Sequence, residues 1–177
     1  MSQSNINVPY SNTYWVVHGR FLAGEHPTEL DDDATIAKLA ALLDGGIRTF
    51  VDLTLPSEIK SYDHLLCTLA EARRVEITFR RFPIPDRGVP SVSTLTSILD
   101  EIDGSARDQK PVFVHCFAGI GRTGTVVGCY LRRHRLAIKG EVVAHIARLR
   151  SLMPSGSGPS PQTSEQVRMV ENWEDAA

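Results

Sequence analysis

Pro111-Val112-Phe113-Val114-His115 is a short apolar run of strand length, and Cys116-Phe117-Ala118-Gly119-Ile120-Gly121-Arg122 follows it as a glycine-containing loop. Beyond Thr123-Gly124-Thr125, the residues Val126, Val127, Tyr130 and Leu131 recur at helical spacing. The stretch therefore reads strand, loop, helix. Five residues separate the cysteine from the arginine, and two of them are glycine. Glycine lets backbone N–H groups turn inward without a steric penalty. A ring of N–H groups ahead of a helix N-terminus is an anion cradle. Arg122 closes the ring with a planar fork that matches two oxygens of a phosphate. Cys116 then sits at the base, and the thiolate form of cysteine is the nucleophile. Thr123 supplies a hydroxyl to hydrogen-bond that sulfur, and His115 has ring nitrogens to order the loop. Backbone amides from Phe117, Ala118, Gly119, Ile120, Gly121 and Arg122 are the expected oxygen ligands.

Outward from this loop, strand-like and helix-like segments alternate. Residues 14–17 and 20–23 form a small hairpin around His18-Gly19. Asp31, Asp32 and Asp33 cap a helix that Gly45-Gly46 ends. Residues 47–53 suit a buried strand, 58–74 a helix and 75–82 a strand. Ser91 caps a helix with Val92, Leu95, Leu99 and Ile102 on one stripe. Val142, Ile146, Leu149 and Met153 mark another helix, residues 154–161 a flexible connection, and 162–174 a last helix. The expectation is α/β: one domain with a central mixed, mostly parallel sheet flanked by helices. Residues 1–13 are polar and read as a flexible N-terminus, with 14–177 as the single catalytic domain.

His115-Cys116-x-x-Gly119-x-x-Arg122-Thr123 resembles the active-site motif of the protein tyrosine phosphatase superfamily, and the compact size resembles its small dual-specificity branch. The resemblance implies Cys116 as nucleophile, Arg122 as phosphate binder and Thr123 as hydroxyl donor. It also implies a general acid about thirty residues upstream, where Asp86 lies in Pro83-Ile84-Pro85-Asp86. Prolines at 83, 85 and 90 remove donors and fix φ, so this segment is a stiff loop. Chemistry needs such an acid, because a thiolate expels an alkoxide or phenoxide only if the leaving oxygen is protonated. Pro161-Gln162-Thr163-Ser164-Glu165-Gln166 resembles the glutamine segment that positions the attacking water, and both Gln162 and Gln166 fit. Asp52 and Glu58, after the Val-Asp-Leu-Thr strand, are candidates to steady Arg122 or to be solvated carboxylates. The implied activity is hydrolysis of phosphotyrosine, with phosphoserine/threonine open, through a cysteinyl-phosphate. The alternatives are a phosphoinositide, inositol phosphate or RNA 5′ end as substrate, or a non-catalytic phospho-binding module. The apolar Phe117, Ala118 and Ile120 favour a phosphoprotein or an aryl phosphate over a highly anionic substrate.

Composition bounds the rest. The 177 residues carry a formal net charge of −2, with 42% apolar residues, which gives no basic bias toward nucleic acid or anionic membranes. Three cysteines, an odd count, do not make a disulfide framework, and core packing is the reading for Cys67 and Cys129, with a protective disulfide to Cys116 as the alternative. His18, His26, His64, His134 and His145 lack metal-ligand spacing, so no metal and no cofactor are expected. Without a secretory signal or a long apolar span, the chain is expected to be a cytoplasmic monomer whose partner is a phosphorylated protein.

Overall fold

In the computed structural model, the described residues are 7–156 and 158–174. A five-stranded sheet runs β1 (Thr13–Val17), β2 (Phe21–Gly24), β5 (Val112–His115), β3 (Thr49–Asp52) and β4 (Thr78–Arg81), in the order β1-β2-β5-β3-β4. Only the β1–β2 hairpin is antiparallel; β2, β5, β3 and β4 are parallel. Parallel neighbours need crossover connections. They are supplied by α1 (Asp32–Asp44), α2 (Asp63–Arg73) and α3 (Val92–Arg107), and α4 (Gly121–Arg133), α5 (Val142–Arg150) and α6 (Ser164–Glu171) complete the single α/β domain.

Strand side chains alternate between two faces. Leu22, Phe50 and Phe113 pack with Leu39, Leu42 and Leu43 of α1 and Leu66 of α2. Phe21, Ala23, Val51, Val112 and Val114 point the other way, into Leu99 and Ile102 of α3, Val127 and Leu131 of α4, Ile146 of α5 and Val170 of α6. Burial on both faces explains why the central strands β2 and β5 read as continuous apolar runs, whereas the edge strand β4 carries Arg80 and Arg81. The expected caps form: Asp31 accepts from the Ala34 amide at 3.2 Å, and Ser91 from the Thr94 amide at 3.1 Å.

Three expectations need correction. The helix expected over 58–74 starts only at Asp63. Residues after Pro56 offer no apolar stripe, and a turn with Glu58 N donating to Leu55 O (3.0 Å) replaces it. Of the stretch 154–161, read as a flexible connection, Ser155 and Gly158 are tied down: buried Arg150 donates to Ser155 O (3.1 Å) and Gly158 O (2.9 Å), and residue 157 lies outside the described residues. Of the N-terminal stretch 1–13, residues 1–6 lie outside the described residues, whereas Tyr10 and Asn12 are anchored. Tyr10 Oη donates to Glu25 O at 2.7 Å, and Asn12 Nδ2 to the Glu25 carboxylate at 2.8 Å.

Candidate active site

The four parallel strands share one direction, so the segments after β2, β3, β4 and β5 gather at one edge of the sheet. The chain after β2 and β3 turns to the α1–α2 face, and the chain after β5 turns to the α4 face. Such a reversal opens a crevice outside the strand C-termini. Residues 116–120 lie there, with Glu58 arriving from the β3 side and Asp86 from the β4 side.

The carbonyls of the loop are held from outside. Phe117 O accepts from the His26 amide at 2.9 Å, Ile120 O from Ser160 Oγ at 2.8 Å and Gly121 O from Thr125 Oγ1 at 2.9 Å; His115 Nδ1 lies 3.3 Å from Cys116 O. In a trans peptide the C=O and the next N–H point oppositely. Fixing these carbonyls outward therefore turns the amides of Phe117, Ala118, Gly121 and Arg122 to the inside. Among the described residues, none accepts a hydrogen bond from the amides of 117–120. Two glycines make the geometry attainable. Gly119 has φ +68°, and a Cβ there would collide with the Gly24 backbone. A Cβ on Gly124 would collide with Ser160 Oγ and displace its bond to Ile120 O.

Cys116 is buried at the floor. Arg122, 2% exposed, presents both terminal nitrogens to the Glu58 carboxylate, with Nη1 2.6 Å from Oε2. Nη1 also donates to Ile84 O at 3.1 Å, and Nη2 to Asp86 Oδ1 at 3.3 Å. Burial opposes the Arg122 charge, but Glu58, Cys116 and Asp86 outweigh it and raise its pKa. The Arg122 hydrogen bond in turn holds the Glu58 carboxyl below the usual carboxylate range. The Asp86 side chain is 68% exposed, at the mouth of the crevice. Of the two carboxylates weighed as Arg122 partners, Glu58 is the one in contact. Asp52 is buried and accepts instead from Arg81 (Nη2 at 2.9 Å), Thr54 N (2.8 Å) and Thr54 Oγ1 (2.7 Å).

A buried polar network underlies the loop. His115 is buried between Tyr62 Oη, 2.6 Å from Nε2, and Cys116 O. Burial lowers its pKa. His26 stands edge-on to His115 with ring centroids 4.8 Å apart, and burial, followed by the His115 charge, lowers its pKa to about 3. Asp52 stays low despite its burial, through His115 and the Thr54 hydrogen bonds. Ligand atoms of His26, Asp52 and His115 lie within 4.8 Å of one another. Asp52 and His115 have their polar atoms engaged, with the Asp52 charge met by Arg81, while His26 Nε2 is buried without a hydrogen-bond partner among the described residues; the cluster supports the loop through Asp52 and His115.

The remaining candidates separate. Gln166 is buried and fully engaged: Oε1 accepts from the amides of Gln162 (3.0 Å) and Thr163 (3.1 Å), and Nε2 donates to Gly88 O at 2.9 Å. It closes the capping box of α6 and ties that helix to the Asp86 segment. Gln162 is exposed, with its Cβ next to Gly121. Thr123 Oγ1 is buried without a hydrogen-bond partner among the described residues, so the expected bond to Cys116 is not formed. Cys67 is exposed and Cys129 buried, and burial raises the Cys129 pKa. At the C-terminal end of α4, Arg133 lies 2.8 Å from Asp100 and the following His134 2.8 Å from Asp103. Sequence reasoning missed His26 and Ser160 as supports of the loop. Their only signal was position, in Gly24-Glu25-His26-Pro27 and before Pro161.

Comparison with known proteins places this geometry in context. Residues 27–136 match the sequence family described as "Polymorphic toxin system, DSP-PTPase phosphatase". The chain is 34% identical over 126 residues to mouse protein tyrosine phosphatase domain-containing protein 1, covering 66% of this chain and 16% of that protein. It is 27% identical over 135 residues to human dual specificity protein phosphatase CDC14A, covering 75% and 21%. The chain thus spans less than a quarter of either relative. Among solved structures, a mutant form of Tk-PTP aligns with TM-score 0.64 and 27% identity, over 90% of this chain and 92% of that one. PTPMT1 in complex with PI(5)P aligns with TM-score 0.66 and 17% identity over 91% and 93%, a likeness of fold. No helix among the described residues is long and apolar enough to cross a membrane.

Proposed function

The chain belongs to the polymorphic toxin system DSP-PTPase phosphatases, and we propose that it hydrolyses phosphate monoesters on proteins, phosphotyrosine foremost, through a cysteinyl-phosphate. The inward-turned amides of Phe117, Ala118, Gly121 and Arg122, with the Arg122 side chain and the buried Cys116, carry this reading. A phosphate bound there replaces water by fixed dipoles and a charge in a low-dielectric crevice.

In the first step the Cys116 thiolate attacks phosphorus. The S–P bond forms, the ester P–O bond breaks, and Asp86 delivers its proton to the leaving oxygen. In the second step a water oxygen attacks phosphorus. The S–P bond breaks, the Asp86 carboxylate takes a water proton, and Cys116 leaves as thiolate beside the Arg122 charge. Gln162 orients that water; Gln166 supports the Asp86 segment through Gly88. The support for Asp86 is its position 3.3 Å from Arg122 at the crevice mouth, on a segment of prolines. The apolar side chains of Phe117, Ala118 and Ile120 add no cation for a polyphosphorylated substrate. The enzyme acts as a monomer in a reducing compartment such as the cytoplasm, where a nucleophilic thiol survives.

The test is phosphate release, with chelator present, from phosphotyrosine and phosphothreonine peptides, phosphoinositide vesicles and RNA 5′-triphosphate. The highest kcat/KM is expected on phosphotyrosine peptides. A clear win for vesicles or RNA would overturn the substrate class and leave the chemistry standing.

A further inference from the structure

A cleft of about 380 Å³ adjoins the loop on the side of Phe117 and Ala118, and the chemistry above makes no use of it. Its apolar wall is Leu30, Ile59, Phe117 and Ala118. Leu30 is fully exposed, and Phe117 is 55% exposed. Neither sits on a loose end. Leu30 lies between Glu29, whose amide donates to Thr35 Oγ1 at 2.9 Å, and Asp31, the N-cap of α1. Phe117 is pinned through its carbonyl by the His26 amide at 2.9 Å. Exposed apolar side chains presented by anchored backbone and converging on one cleft are the mark of a binding surface.

The rim fixes the charge of the occupant. Glu25, Glu29 and Lys38 line it. Lys38 pairs with both carboxylates, 3.0 Å from Glu25 and in closer contact with Glu29, which leaves one net negative charge. A phosphate-rich headgroup or an acidic side chain would meet that charge unpaired, and a buried unpaired charge is costly. An apolar or cationic side chain would not. The cleft is continuous with the catalytic loop through Phe117, whose amide belongs to the cradle. A neighbouring residue in a polypeptide has its Cα about 3.8 Å from that of the phosphorylated residue. It therefore falls within reach of Phe117.

We propose that this cleft receives the residue flanking the phosphorylated one in a protein substrate, selecting an apolar side chain and rejecting an acidic one. The inference rests on the protein-phosphatase reading and names its specificity determinants, Leu30 and Glu29. The experiment compares phosphotyrosine peptides that differ only in a Leu or an Asp next to the phosphotyrosine, with p-nitrophenyl phosphate as a substrate without a flank. Burying a leucine side chain corresponds to a preference of about tenfold or more in kcat/KM for the Leu peptide. In Leu30→Ser the preference falls toward unity, while p-nitrophenyl phosphate turnover is unchanged. In Glu29→Lys the Asp peptide gains. Equal turnover of the two peptides by the wild type overturns the inference, as does a Leu30→Ser loss shared by p-nitrophenyl phosphate. If Leu30→Ser impairs phosphoinositide vesicles and leaves peptides alone, the cleft serves a lipid and the inference falls. Absence of p-nitrophenyl phosphate hydrolysis would remove the phosphatase reading itself, an outcome distinct from the others.

Discussion

Glu58→Gln removes the charge opposite Arg122 while keeping the shape of the side chain and one acceptor oxygen. In the native protein both terminal nitrogens of Arg122 bond Glu58, one of them at 2.6 Å, and the guanidinium is 2% exposed. A hydrogen bond between charged groups is worth about 1.5–3 kcal/mol. Arg122 keeps Ile84 O at 3.1 Å and Asp86 at 3.3 Å after the change, and the glutamine retains one acceptor, so a loss at and below the low end of that range, about 1–2 kcal/mol, applies. For a domain of this size each kcal/mol shifts Tm by about 2–4 °C, so a fall of roughly 2–8 °C is expected by calorimetry. The same figure corresponds to a loss of about fivefold to thirtyfold in kcat/KM, at about 1.4 kcal/mol per decade. Glu58 acts by positioning Arg122, so inhibition by inorganic phosphate should weaken in parallel with kcat/KM. The acid limb of stability should change too. A Glu58 carboxyl held low contributes stability that is fully present above the ordinary glutamate value of about 4.3 and is lost as pH falls through its lowered value. Glu58→Gln lacks that loss. An unchanged Tm together with unchanged phosphate inhibition would refute the reasoning and leave Asp86 and Ile84 as sufficient anchors.

Three further outcomes follow from the site. Asp86→Asn should depress turnover of alkyl and unactivated aryl phosphates by about 10²-fold or more while sparing p-nitrophenyl phosphate, whose leaving group needs little protonation; equal losses would remove Asp86 as the acid. Gln166→Ala breaks the capping box and the tie to Gly88 and should lower stability by about 1–2 kcal/mol, whereas Gln162→Ala should leave Tm unchanged and slow only hydrolysis of the phosphoenzyme, seen as a larger burst; the reverse pattern would exchange their roles. His26 has a folded-state pKa of about 3, below the unfolded value of about 6.5, so the unfolded chain binds more protons between these values. Its contribution is fully present above about pH 6.5 and is lost as pH falls toward 3, and urea titrations should show a shallower acid slope in His26→Gln than in the wild type.

The strand–loop–helix at 111–133 was legible because each part has its own local signal: an apolar run, two glycines, and a helical stripe. The caps at Asp31 and Ser91 were legible for the same reason, since a cap is read within four residues. The α2 start was not, because nothing local distinguishes a first helical turn from the turn that Glu58 makes with Leu55. Long-range choices were also hidden. Glu58 and Arg122 lie 64 residues apart, and sequence alone gives Asp52 equal standing as a partner, whereas the parallel register sets it beside Arg81. Gln162 and Gln166 are one helical turn apart in sequence but meet different surroundings, solvent beside Gly121 and the buried capping box. His26 holds the loop with its backbone amide, a group every non-proline residue possesses, so no residue type announces it.

The central claim is that Cys116 carries the phosphoryl group. Rapid quench of the enzyme with a phosphotyrosine peptide in chelator, followed by mass spectrometry of the Cys116 peptide, tests it most directly. The account predicts a phosphoryl adduct on Cys116 in the wild type that builds up further in Gln162→Ala, with no adduct and no turnover in Cys116→Ser. Turnover by Cys116→Ser near the wild-type rate, or an adduct on another residue, would contradict it.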